Sequence, residues 1–191
     1  MNYAHENDVR QVPDVKLGIV SPDGRDGMLR HVRGFHEASV PCVFDPGQGM
    51  PLFTGEELLE CVHKSRYVIL NDYEAELLQA RTGENLATLA RHVEALIVTR
   101  GAEGSVIHAA GGQVDIPAAR PAAILDPTGC GDAYRSGILY GITHGLDWET
   151  SGRLGSLMGA IKIAQRGGQN HRPGRDEIAS EFHAQLGYHY E

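Results

Sequence analysis

The chain has 191 residues, 41% of them hydrophobic, and its 25 acidic against 17 basic side chains leave a formal charge of −8. That length suits one ordinary domain with a real core. The acidic balance excludes a nucleic-acid surface, which needs clustered Lys and Arg, and lysine occurs only at Lys16, Lys64 and Lys162. No apolar run can span a bilayer and the opening MNYAHENDVR is too polar for a signal peptide, so no membrane partner is expected.

In chain order, the apolar run KLGIV (16–20) predicts a strand that stops at the turn SPDG. GMLRHVRGFHEA then carries helical spacing through Met28, Val32 and Phe35. VPCVFD (40–45) reads as a strand ending at PGQGMP, GEELLECVHK as a helix, RYVIL as a strand and DYEAELLQART as a helix closed by Gly83. ALIVT (95–99) and SVIHA (105–109) predict strands around RGAEG, with GGQVDIP as a hairpin return and AAIL (122–125) as a further strand. From Gly131 the pattern is mainly helical, and Leu154, Leu157, Met158, Ile161 and Ala164 mark the core face of a long helix. Alternating strands and helices predict an α/β fold with a mostly parallel sheet flanked by helices. If that sheet is doubly wound, the loops SPDG, DPGQG, NDYE, RGAEG and DPTGCGD gather along one edge.

Cys42, Cys61 and Cys130 are odd in number and form no CxxC pair, which predicts reduced thiols of a cytoplasmic protein and no zinc framework. None of the ten histidines falls in an HExxH spacing, and the simpler reading of them is scattered solvated side chains.

The chemistry concentrates in DPTGCGDAYRSG (126–137). No GxxxxGK[ST] is present, and Gly129-Cys130-Gly131 is followed by Tyr134 where a dinucleotide fingerprint needs its third glycine. A glycine-flanked turn opening a helix at Gly131 remains. The amides of Gly129, Cys130 and Gly131 at a positive helix end suit an anion, such as charge developing on a transferring phosphoryl group. Asp132 is placed either to cap that helix or to take the proton of an attacking hydroxyl. Asn71 and Glu74 have the spacing of a capping box. Thr99 and Gly101 suit a hairpin turn. Cys130 reads as a small residue fitting near phosphate, although a helix start lowers a thiol pKa.

DPTGCGD resembles the C-terminal signature of the PfkB (ribokinase-like) family of sugar and nucleoside kinases, D-T-x-G-A-G-D, with Pro127 and Thr128 replacing the usual order and Cys130 replacing Ala. NDYE (71–74) is similar to the family N-x-x-E motif, TRGAEG (99–104) to its T-x-G-x-x-G nucleotide loop, and GGQN (167–170) to the segment lining its adenine pocket. The resemblance runs from about Lys16 to about Pro173, and SPDGRDGM, DPGQG and NDYEAELL further resemble bacterial adenosine-kinase-like members.

The resemblance implies a ribokinase-like fold and transfer of the ATP γ-phosphoryl group to the hydroxymethyl of a sugar or nucleoside, adenosine or a ribose-like acceptor first. It makes Asp132 the base and the amides of Gly129, Cys130 and Gly131 the anion hole. Asn71 and Glu74 then organise Mg²⁺ through water, Thr99, Gly101, Gly104 and Asn170 contact the nucleotide, and Asp126 and Thr128 hold a monovalent cation such as K⁺. The family's N-terminal strands, small β lid and most acceptor-binding residues have no counterpart here. Residues 1–191 therefore read as a C-terminal portion of the kinase domain, with an uncovered sheet edge that favours association, for instance as a homo-oligomer. Against the enzyme stands a second reading, a nucleotide-binding or regulatory module without turnover. A third, a NAD-binding domain, is weakened by the glycine spacing.

Overall fold

The computed structural model describes residues 8–190. Most of the polar stretch on which the absence of a signal peptide was read, residues 1–7, lies outside them. The chain divides into two compact units, Met1–Thr99 with His108–Gln113, and Arg100–Ile107 with Val114–Glu191.

Among the described residues one sheet of six strands is ordered as in the sequence: β1 (Gly18–Val20), β2 (Cys42–Phe44), β3 (Tyr67–Asn71), β4 (Ala95–Thr99), β5 (Ser105–Ala109) and β6 (Gly112–Ile116). The first four are parallel, in registers such as Gly18 with Cys42, Val43 with Tyr67, and Tyr67 with Ala95. The strand order does not reverse among these four, so no topological switch point lies within them. Right-handed crossovers between consecutive neighbours place every connecting helix on the same face. In the first unit α1 (Arg25–Glu37), α2 (Gly55–Lys64) and α3 (Asp72–Thr82) indeed share one core with alternate strand residues. Met28, Leu58 and Leu78 pack there with Phe44, Val68 and Leu96. β3 and β4 are buried on both faces, which is why YVIL and ALIV read as continuous apolar runs.

Local signals fix the helix ends. Thr54 and Glu57 form a capping box at α2, and Gly83, at φ +73°, closes α3. The short α4 (Leu86–Leu89), capped by Asn85, had no sequence expectation because four residues carry no readable period.

In the second unit α5 (Cys130–His144) and α6 (Trp148–Ile163) pack backbone to backbone. A Cβ at Gly137 would stand 2.5 Å from the Gly155 nitrogen, so a side chain there would force the helices apart. Leu154 and Leu157 of α6 are buried with Phe182 of α7 (Arg175–Leu186), and Ile161 packs against them. This bears out the core reading for Leu154, Leu157 and Ile161; Met158 is half-buried outside that cluster, and Ala164 lies just past the helix end. Tyr134 is buried with its hydroxyl 2.7 Å from Ser105 Oγ, and burial pushes its pKa up to about 12.

AAIL is not a strand. The amides of Leu125 and Asp126 both donate to the Ile163 carbonyl, at 2.9 and 3.2 Å, and Ile124 is 76% exposed. A short apolar run cannot form a strand without a neighbouring strand to pair with, and here the end of α6 supplies the acceptor instead.

Candidate active site

The residues singled out from the sequence fall into two clusters, one in each unit. In the first unit β3 and β4 end side by side, and Asn71 is the register partner of Thr99. Asn71 caps α3: its Oδ1 accepts the Glu74 amide at 2.7 Å, and Glu74 Oε2 accepts the Asn71 amide at 2.9 Å. Asn71 Nδ2 also donates to Glu74 Oε1 at 2.9 Å. The capping box is complete, and both carboxylate oxygens of Glu74, only 7% exposed, are fixed in direction. Thr99 Oγ1 donates to the Leu70 carbonyl at 3.3 Å.

Carboxylate oxygens retain lone pairs after one hydrogen bond each, so Glu74 can still accept from a water. Among the described residues no three or more His, Cys, Asp or Glu gather into a metal cage. This donor set would suit the water shell of a hydrated Mg²⁺ and does not fit an ion caged by protein.

In the second unit α5 opens at Cys130, one residue ahead of the expected Gly131. Its cap, Gly129, has φ +82°, and a Cβ there would stand 2.9 Å from the Gly168 carbonyl oxygen. Both the dihedral and the close approach require glycine. The Cys130 amide donates to the Pro127 carbonyl at 3.1 Å. Gly131 and Asp132, next in the first turn, carry amides without intrahelical acceptors at the positive end of α5. The Asp132 side chain is exposed at the third helical position. Cys130 is half-buried, with its Sγ 3.9 Å from the Asp126 carbonyl, and burial pushes its pKa up, the reverse of helix-start activation.

Asp126 organises this loop. Its Oδ1 accepts the Thr128 amide at 2.9 Å and its Oδ2 the Gly167 amide at 2.8 Å, and these bonds to the charged form lower its pKa to about 2. The loop before α5 and the turn after α6 are thereby stitched together, which brings GGQN next to DPTGCG. Asn170 Nδ2 donates to the Arg166 carbonyl at 2.7 Å and holds that turn closed.

TRGAEG divides between the units. Gly101, at φ +56°, is exposed with open space around it. Gly104, at φ +87°, is buried, and a Cβ would run into the Ile116 carbonyl. The geometry of Gly104 is that of a turn-forming glycine.

Two basic residues were missed from the sequence. Lys162 is fully buried, and its Nζ donates to the carbonyls of Asp126 at 2.9 Å and Gln165 at 3.0 Å. Arg135 reaches back one turn along α5, with Nη1 2.7 Å from where a Cβ of residue 131 would stand. The spacing of four between Gly131 and Arg135 was the available signal. For Lys162, inside an apolar stripe, there was none.

A cavity of about 1060 Å³ lies elsewhere in the first unit, along β1. Ile19, Met28, Phe35 and the Arg25–Glu57 ion pair are among its lining residues, and none of the sequence-predicted site residues is.

The chain is similar to the nucleoside kinase of Burkholderia thailandensis solved in complex with inosine: 49% identity and a TM-score of 0.94 over 96% of this chain and 60% of that one. The same enzyme in complex with ADP-inosine gives 48% identity and a TM-score of 0.95, over 97% and 58%. A nucleoside kinase of Methanocaldococcus jannaschii is 33% identical over 73% of this chain and 46% of its own length, and an Escherichia coli fructokinase 30% identical over 80% and 52%. The chain thus spans about half the length of the curated relatives it matches. The model of the pfkB family of carbohydrate kinases matches residues 8–175, a span that contains both clusters, and the chain belongs to that family.

Proposed function

We propose that this chain carries the phosphoryl-donor and base portion of a kinase that moves the ATP γ-phosphoryl group to the hydroxymethyl of a nucleoside. The observation that carries the reading is Asp132, an exposed carboxylate in the first turn of a helix whose open amides and glycine cap leave room for an anion. Exposure leaves the carboxylate open to the hydroxyl from which a base would take the proton. The amides of Gly131 and Asp132, with the Arg135 guanidinium behind Gly131, oppose charge on the transferring group.

A Mg²⁺ ion bound with ATP neutralises phosphate charge in this class of reaction. Glu74, oriented by Asn71, orders water around that ion. Thr99 and Gly101 of the TRGAEG segment and Asn170 of the 167–170 turn are the residues assigned to the nucleotide. Purine nucleosides are the acceptors to test first, because the 49% identical relative was solved with inosine. Adenosine and ribose follow as narrower and broader options. The test is nucleoside-dependent ADP release at saturating ATP and Mg²⁺, by the polypeptide joined to the part of the B. thailandensis enzyme that it does not match. Release that no nucleoside or pentose stimulates, beside intact ATP binding, would favour a binding module.

A further inference from the structure

We propose that Lys162 is a built-in cation for the loop that opens α5, standing where a dissociable monovalent ion would otherwise bridge that loop and the turn after α6. Its side chain is fully buried, and its ammonium lies between two main-chain carbonyls, 2.9 Å from Asp126 O and 3.0 Å from Gln165 O. A buried ammonium is retained only where such acceptors replace its water. These acceptors belong to the two segments that the Asp126 carboxylate also joins, through Thr128 N and Gly167 N.

The expected K⁺ at Asp126 and Thr128 does not fit this arrangement. The Asp126 carbonyl already accepts the Lys162 ammonium, and the two carboxylate oxygens are turned toward the amides of Thr128 and Gly167. An added ion sharing that carbonyl would lie next to a fixed positive charge. Lys162 is therefore a positioning residue. It holds the 126–131 segment against Gly167 and Gly168, and so sets where the Gly131 and Asp132 amides stand. Its structural part is independent of the kinase reading; only its consequence for nucleotide binding rests on that reading.

The experiment compares melting temperatures of the 191-residue polypeptide and Lys162→Ala in chloride salts of K⁺, Na⁺, ammonium and tetramethylammonium at equal ionic strength, with ADP affinity measured in each. The wild type is expected to melt alike in all four salts. Lys162→Ala is expected to melt several degrees lower in tetramethylammonium and to recover saturably in ammonium or K⁺. ADP affinity is expected to fall about tenfold in the variant and return with the same ions. Saturable stabilisation of the wild type by K⁺ over tetramethylammonium would overturn the proposal, as would a folded variant that no small cation rescues. Should Lys162→Ala not fold, Lys162→Arg and the wild-type titration decide: an arginine variant that gains K⁺-specific stabilisation also overturns it, and one indifferent to the salt supports it. Absence of ADP binding by the wild type, with the melting pattern intact, would count against the kinase reading alone.

Discussion

Asp126 Oδ2 accepts the Gly167 amide at 2.8 Å, across 41 residues of sequence, and this one bond fastens the glycine loop before α5 to the turn after α6. Together with the Thr128 amide it holds the carboxyl at a pKa of about 2, against 3.8 for an ordinary Asp. A depressed pKa in the folded state contributes stability that is present above pH 3.8 and lost as pH falls through about 2. Acid titration of the melting temperature should therefore fall more steeply between pH 4 and pH 2 for the wild type than for Asp126→Asn. Parallel curves would show that these amide bonds are not made in solution.

Asp132→Asn should leave nucleotide affinity unchanged and cut phosphoryl transfer by ~10²–10⁴, the range typical of a lost general base. The relevant measurement is single-turnover transfer beside ADP binding, on the polypeptide completed as described for the proposed function. Transfer within threefold of the parent would leave Asp132 with a helix-capping role only.

Glu74→Gln separates the two duties open to that residue. Gln keeps the bond from the Asn71 amide but cannot also accept from Asn71 Nδ2, so stability should fall by about 0.5–1.5 kcal/mol whatever the metal role. If the negative charge orders water around Mg²⁺, the concentration of Mg²⁺ giving half-maximal activity should rise severalfold. A flat Mg²⁺ profile, with only that loss of stability, would confine Glu74 to the box.

Gly104→Ala places a methyl group against the Ile116 carbonyl on a backbone at φ +87° that L side chains rarely adopt. Strain and overpacking together should cost on the order of 2–4 kcal/mol. For a chain of this size that lowers the melting temperature by roughly 5–15 °C, readable by calorimetry. Gly101→Ala, with open space around its Cβ, should cost less, and a reversal of that order would contradict the placement of the two glycines.

The sequence by itself determined what rests on contacts close along the chain. The apolar runs YVIL and ALIV, the Asn71–Glu74 capping box and the glycine that ends α3 were all legible, because each is decided by residues within a few positions. The ordered motifs DPTGCGD, NDYE and TRGAEG likewise carried the family, which the match over residues 8–175 shows. Tertiary structure decided what depends on distant partners. AAIL lacked a neighbouring strand and bonded instead to the end of α6. The strand order excluded a switch point among the first four strands. The Cys130 amide found its acceptor in the Pro127 carbonyl. Lys162, one polar letter in an apolar stripe, is the sharpest case. Its ammonium stands among acceptors 36 and 3 residues away, and no local pattern can reveal a charge whose partners exist only once α6 has packed.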